Sequence, residues 1–235
     1  MKVLRTGGAY LAGQAEHHGS QHLWILAIGV SAAIVVGLAW HPLVAIAPLL
    51  WAAGRARRVY RRLARVRRGI RGEEDVTALL RRLPDDYILV NDVMLSGSLG
   101  NIDHVVFGPC GIVVIETKRY RGLIACERGR WFQNGRRIRS VGKQANQGAM
   151  SLKERLRREH PELAETALRW IDSIVVFTDP LCRLRIDRPG VTMVRYSELL
   201  GVILAKGLRR RLAPSTARTL AHSLAREARV RDLPT

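Results

Sequence analysis

The first strong pattern along the chain is an uncharged apolar run over residues 23–40 (LWILAIGVSAAIVVGLAW), preceded by Gly, Ala, His and Gln with little periodicity. A run of about 18 such residues is long enough for a bilayer-spanning helix. The run is therefore expected to enter a membrane, and residues 1–22 to form a flexible tail. His41 and Pro42 interrupt it, and LVAIAPLLWAA over residues 43–53 resumes it at a length too short to span comfortably. Residues 23–53 then form either one helix with an interfacial extension or a tight helical hairpin. Trp24, Trp40 and Trp51 lie near the candidate boundaries, where aromatic rings favour the membrane interface. A cleaved signal peptide fits less well, because the basic cluster lies after the apolar run and no small-residue cleavage site comes after it.

Beyond this run the pattern alternates between helix and strand. Val76, Leu79, Leu80 and Leu83 recur at helical spacing ahead of Pro84, predicting a helix over about 72–83. Strands are expected over 87–93 and 102–107, and the continuous apolar run GIVVIE at 111–116 suits a buried central strand. Residues 123–126 and 130–138 predict an exposed hairpin around Asn134-Gly135, a strong turn pair. A helix over 142–159, strands at 173–177 and 191–194, and helices at 197–206 and 215–229 complete an α/β arrangement, a mixed sheet flanked by helices. The expected organisation is a tail (1–22), a membrane segment (23–53), a basic juxtamembrane linker (54–71), an α/β domain (72–195) and a basic helical extension (196–235).

Charge changes this picture. The formal net charge is +19, which calls for an anionic partner, either nucleic acid or anionic membrane lipid. Arg55, Arg57, Arg58, Arg61, Arg62, Arg65, Arg67, Arg68 and Arg71 come after the apolar run with no acid among them. The positive-inside rule places the chain beyond these arginines on the cytoplasmic side, and the cluster reads first as a lipid-gripping topology signal and second as a nucleic-acid arm. Cys110, Cys126 and Cys182 are odd in number and widely spaced, and they lack the CxxC or Cys/His pairing that a zinc site needs. Buried or half-buried free thiols are expected. His17, His18 and His22 have no neighbouring acid or thiol and read as part of a solvated tail.

The candidate chemistry lies in N-I-D-H at 101–104 and G-I-V-V-I-E-T-K at 111–118. Two strands joined by a short turn bring the start of one beside the end of the next, so Asp103 should lie near Glu116 and Lys118. Glu116 and Lys118, two apart, point to one side. A carboxylate pair beside an ammonium suits Mg²⁺ and a phosphate substrate, although a strand-end Glu-x-Lys is also a common solvated pair. His104 should point to the opposite face from Asp103 and pack there. Tyr120 and Trp131 either stack on bases or occupy half-buried sheet positions.

These segments, from Gly72-Glu73 through N-I-D-H, G-I-V-V-I-E-T-K and Tyr120-Arg-Gly122 to the helix with Gln144 and Gln147, resemble the NERD (nuclease-related) domain, a branch of the PD-(D/E)xK nuclease-like superfamily. The resemblance covers about residues 71–177, within the domain expected over 72–195. It implies a restriction-endonuclease-like core with a four-stranded mixed sheet, and phosphodiester hydrolysis dependent on Mg²⁺ or Mn²⁺. It assigns the metal-binding acids to Asp103 and Glu116, the lysine to Lys118, the helix glutamate to Glu73 with the adjacent Glu74 as the alternative, and a later helix glutamine to Gln147. The chain departs from the family pattern at Asn101, where Gln is frequent, and at Lys143-Gln144, where the family has Asn-Pro. The function expected is a membrane-anchored nuclease-related protein acting on nucleic acid, DNA in preference to RNA, at the cytoplasmic face. The alternative is a membrane-tethered module that binds nucleic acid without cutting it.

Overall fold

The computed structural model describes residues 1–5, 27–35, 46–95, 101–187, 190–209 and 211–230. The chain divides into two compact units, one of residues 1–7 and 71–235, the other of residues 8–70.

The larger unit is built on β4 (Gly111–Lys118), whose first six residues are all buried. A two-residue turn joins it to β3 (Asn101–Gly108), and the antiparallel ladder runs from Gly108↔Gly111 to His104↔Ile115. β3 pairs in turn with β2 (Ile88–Met94). On its other side β4 pairs in parallel with β8 (Ile171–Phe177). That parallel step needs a crossover, supplied by α3 (Val141–Glu159). β10 (Thr192–Arg195) and β1 (Lys2–Arg5) add at the two edges, giving the order β1-β2-β3-β4-β8-β10.

Helices cover both faces of this sheet, as a sheet with a strand like β4 requires. On one face Ala149, Leu152 and Leu156 of α3, together with Leu220, Ala221 and Leu224 of α5 (Pro214–Val230), meet Val105, Phe107 and Val114. On the other, Val76, Leu79 and Leu80 of α2 (Ile46–Leu80) and Leu199 and Ile203 of α4 (Leu199–Gly207) meet Leu89, Val106, Val113 and Ile115. A second sheet, ordered β7-β6-β5-β9, consists of β7 (Arg136–Ile138), β6 (Arg130–Gln133), β5 (Gly122–Glu127) and β9 (Cys182–Ile186). Its inner residues Ile124, Cys126, Trp131 and Cys182 pack on Val175, Phe177, Val141 and Ala145. Cys110, Cys126 and Cys182 are all buried and free. Burial pushes the Cys110 thiol up to about 12 and the Cys182 thiol up to about 11.

The mixed α/β sheet flanked by helices fits a restriction-endonuclease-like core. It is larger than expected: among the described residues the main sheet has six strands and the second has four. Three elements differ from the sequence reading. Helix α2 begins at Ile46, so residues 54–71, expected as a linker, are helical; Arg, Ala and Leu are strong helix formers and no Pro interrupts them. Residues Lys2–Arg5, expected within a flexible tail, form an edge strand parallel to β2, while residues 6–22 lie outside the described residues. The helices expected as a C-terminal extension, α4 and α5, instead close the two faces of the main sheet.

In the smaller unit, α1 is described over residues 27–35 and α2 contributes Ile46 to Ile70. A Cβ added to Gly29 would meet the Ala52 side chain at 3.3 Å, so small residues let these two helices approach closely. The apolar side chains of Ile28, Ile34, Val35, Leu49, Leu50 and Trp51 remain exposed. Of the segment expected to cross a membrane, residues 23–26 and 36–45 lie outside the described residues. Among the described residues, no helix is long and apolar enough to cross one.

Because α5 buries Leu220 and Leu224 completely against the sheet, Leu220→Ala should lower stability by about 2–5 kcal/mol, read as the shift in urea midpoint. A loose extension would give almost no shift.

Candidate active site

The buried part of β4 ends where its carboxylate and ammonium stand. Strand alternation sends Glu116 and Lys118 to the face that carries Ile112 and Val114. Lys118 Nζ donates to Glu116 Oε1 at 2.5 Å and to Gln144 Oε1 of α3 at 3.0 Å. Asp103 of β3 accepts the backbone N–H of Thr117 at 2.7 Å. The hydrogen-bonded loop between neighbouring strand ends thus brings Asp103, Glu116 and Lys118 together, as the two-strand geometry predicts.

Glu73 arrives from α2. Gly72, just before it, permits a close approach of that helix: a Cβ there would meet Thr178 Oγ1 at 3.0 Å and Thr117 Cγ2 at 3.3 Å. Burial first, then the nearby carboxylates of Asp92 and Glu116, raises the Glu73 carboxyl to about 7. Burial also holds Asp103 well above the usual carboxylate range, reinforced by Glu116 and Glu73. Glu116 is likewise raised by burial, with Lys118 pulling against it. Burial alone would lower Lys118, but the Glu116 and Asp103 carboxylates outweigh it and keep the ammonium charged. The site is therefore a crowd of partly desolvated acids around one cation.

Asp92 was not singled out from the sequence. It is buried in β2 at φ 55°, a left-handed conformation that side chains other than Gly, Asn and Asp seldom adopt. The β2–β3 register passes from Asn91↔His104 to Val93↔Ile102 and omits it. This local irregularity turns Asp92 toward Glu73, whose carboxyl it raises, and its Oδ1 accepts the Asn101 side-chain amide. The available sign was a polar Asn-Asp pair inside an otherwise apolar strand.

The opposite face carries a support. His104 is buried, and its Nδ1 lies 2.8 Å from Asn91 Oδ1 while its Nε2 lies 3.1 Å from Thr117 Oγ1. Burial drives its pKa down to about 3, so the ring is neutral. With the Asn91 carbonyl oxygen accepting, the proton sits on Nδ1 and Nε2 accepts from the Thr117 hydroxyl. His104 therefore ties β2 to β4 at the residue whose backbone N–H holds Asp103, in keeping with its expected packing role. Gln147 is exposed on α3, and Gln144 rather than Gln147 makes the hydrogen bond to Lys118. Trp131 is buried and Tyr120 is half-buried beside Phe177, their ring centroids 6.4 Å apart.

The donor set offered by Asp103, Glu116, Glu73 and Asp92 is all carboxylate oxygen, which suits a hard divalent cation rather than zinc. Among the described residues, no three His, Cys, Asp or Glu side chains are already spaced to hold an ion.

Residues 68–178 match the family model described as the nuclease-related domain, NERD. No curated protein and no solved structure matches the chain.

A carboxyl whose pKa is raised on folding favours the protonated native state, so its contribution is full below the unfolded value of 4.5 and is lost as pH rises through about 7. In EDTA, the urea midpoint of the native chain should therefore fall between these two values, and Glu73→Gln should flatten that fall. An unchanged profile in the variant would place the pH dependence elsewhere.

Proposed function

We propose, on the premise that residues 68–178 form a nuclease-related domain, that the protein hydrolyses phosphodiester bonds of nucleic acid with a divalent cation. The observation that carries this reading is the buried Glu116 paired with half-buried Lys118 beside Asp103, with more carboxyl groups crowded there than one ammonium could neutralise if all were ionised. A structural ion pair would not need further carboxylates pressed against it. Asp103 and Glu116, helped by Glu73, would hold Mg²⁺ or Mn²⁺. When bound, such an ion polarises a phosphoryl oxygen and eases formation of a hydroxide nucleophile.

The protein's own groups supply the rest. Lys118 Nζ, anchored by Glu116 and Gln144, presents its remaining hydrogen to a water or to a phosphate oxygen gaining charge. The backbone N–H of Thr117 fixes the Asp103 carboxylate, and the neutral His104 ring steadies Thr117 from behind. Arginine surfaces bind the phosphate backbone, and DNA is the preferred substrate in this reading.

The reading includes a membrane location, with the nuclease-related domain on the cytoplasmic side. The uncharged run at 23–40, the arginines at 55–71 and the exposed apolar side chains of the smaller unit support it. Anionic lipid is then a second partner. The alternative of a non-catalytic nucleic-acid tether would use the same basic surfaces without the acids.

The test uses the full chain in detergent, because Lys2–Arg5 completes the sheet. Labelled single- and double-stranded DNA and RNA are incubated with Mg²⁺, Mn²⁺ or EDTA. Cutting should require the metal and fall by at least about 100-fold in Asp103→Ala and Lys118→Ala. Binding without cutting in every metal would establish the tether instead.

A further inference from the structure

The second sheet has an outer face that the proposed cleavage chemistry does not use. Residues directly opposite one another on neighbouring strands point to the same side. The pairs Ala125↔Arg185, Ala125↔Phe132 and Phe132↔Arg137 therefore make one row across four strands: Arg185, Ala125, Phe132, Arg137. The row behind carries Leu123↔Arg183, and the row ahead Glu127↔Arg130. Trp131, Ile124 and Cys126 occupy the alternate positions and face the core. Arg130, Arg137, Arg183 and Arg185 are exposed, whereas Phe132 is half-buried among them.

At the end of this face lies a cavity of about 470 Å³ lined by Glu127, Arg128, Arg130, Phe132 and Asp187. Its charges are mixed. Its carboxylates would repel a phosphate. Glu127 accepts from Arg185, and a carboxylate has lone pairs enough to accept a further hydrogen bond from the amino group of a nucleobase. Arg128 occupies a turn with Gly129 at φ 49° and 74°, as Asn134 and Gly135 do at 48° and 78° in the next turn. Asn is the favoured residue at such a position. An arginine there accepts backbone strain, and Arg128 lines the cavity.

We propose that the outer face of the β7-β6-β5-β9 sheet binds single-stranded nucleic acid, with one unstacked base on Phe132 in the cavity and flanking phosphates on Arg128, Arg130, Arg137 and Arg183. An aromatic ring set among arginines serves a splayed strand, because a duplex keeps its base faces stacked inside. The second sheet begins close along the chain to the candidate active site: β4 ends at Lys118 and β5 starts at Gly122. The six residues of β5 then extend the platform by roughly 17 Å at strand spacing. The ligand class rests on the nucleic-acid reading above, but the binding does not require catalysis.

The full chain in detergent and EDTA is titrated against a fluorescein-labelled 12-mer of dC, read by anisotropy, so that a failure of cleavage and a failure of the platform are separate results. Phe132→Ala should weaken binding by roughly 5- to 150-fold, and Phe132→Trp, which keeps a stacking face, should restore it. Arg137→Gln should reduce the slope of log affinity against log salt by about 0.7. A dC 12-mer should bind several-fold tighter than a dT 12-mer, because thymine lacks an amino group. Native-like binding by both Phe132→Ala and Arg137→Gln would overturn the proposal, as would equal affinity for dC and dT. If Arg137→Gln instead loses binding to phosphatidylserine vesicles and keeps the oligonucleotide, the face is a lipid surface and the proposal fails.

Discussion

A carboxylate and an ammonium sharing the end of a buried strand are the constraint around which the larger unit is arranged. β4 is paired on both edges and covered on both faces, so its apolar residues have one place to go. Glu116 goes with them and is only 3% exposed. An ion pair in such a position costs desolvation that its own attraction seldom repays, and apolar replacements of similar size are often as stable. The pair is therefore poorly explained as reinforcement. Its position suits chemistry, where water exclusion strengthens every charge that a substrate brings.

The rest of the site shows how a sheet can hold charges without locking them. Asp103, Glu116 and Lys118 share one face, and on the reverse His104 joins Asn91 to Thr117. The two faces communicate through one residue, Thr117, whose hydroxyl belongs to the histidine and whose backbone N–H belongs to Asp103. Polar groups on both sides of a single strand are thereby satisfied by short, local bonds. Glu73 arrives from α2, and the missing side chain of Gly72 permits the approach.

Much of this was legible in the sequence because it depends on short-range rules. A two-residue turn between two apolar strands fixes their register, and register places Asp103 beside the Glu-x-Lys pair. The strands and helices from Tyr87 onward kept closely to their periodicities. What escaped depends on geometry without a period. Asp92 reaches the site through one backbone angle inside a strand. Gln144 of α3 bonds Lys118, a contact between helix and sheet that spacing along the chain does not specify. β1 is too short to announce itself, and β9, although it alternates Cys-Arg-Leu-Arg-Ile, is a five-residue segment that finds its place only in the parallel pairing with β5. In the four-residue strand β6, the choice of inward aromatic between Trp131 and Phe132 waits on the partner strand.

The three thiols have a practical meaning beyond packing. Cys110 belongs to the layer of α2 and α4, whereas Cys126 and Cys182 lie under the small sheet. Alkylating reagents attack thiolates, and burial holds Cys110 and Cys182 in the protonated form. Each can react only when its own layer opens. The chain thus carries separate natural reporters of breathing in two of its layers, and comparing their labelling rates would show which one yields first.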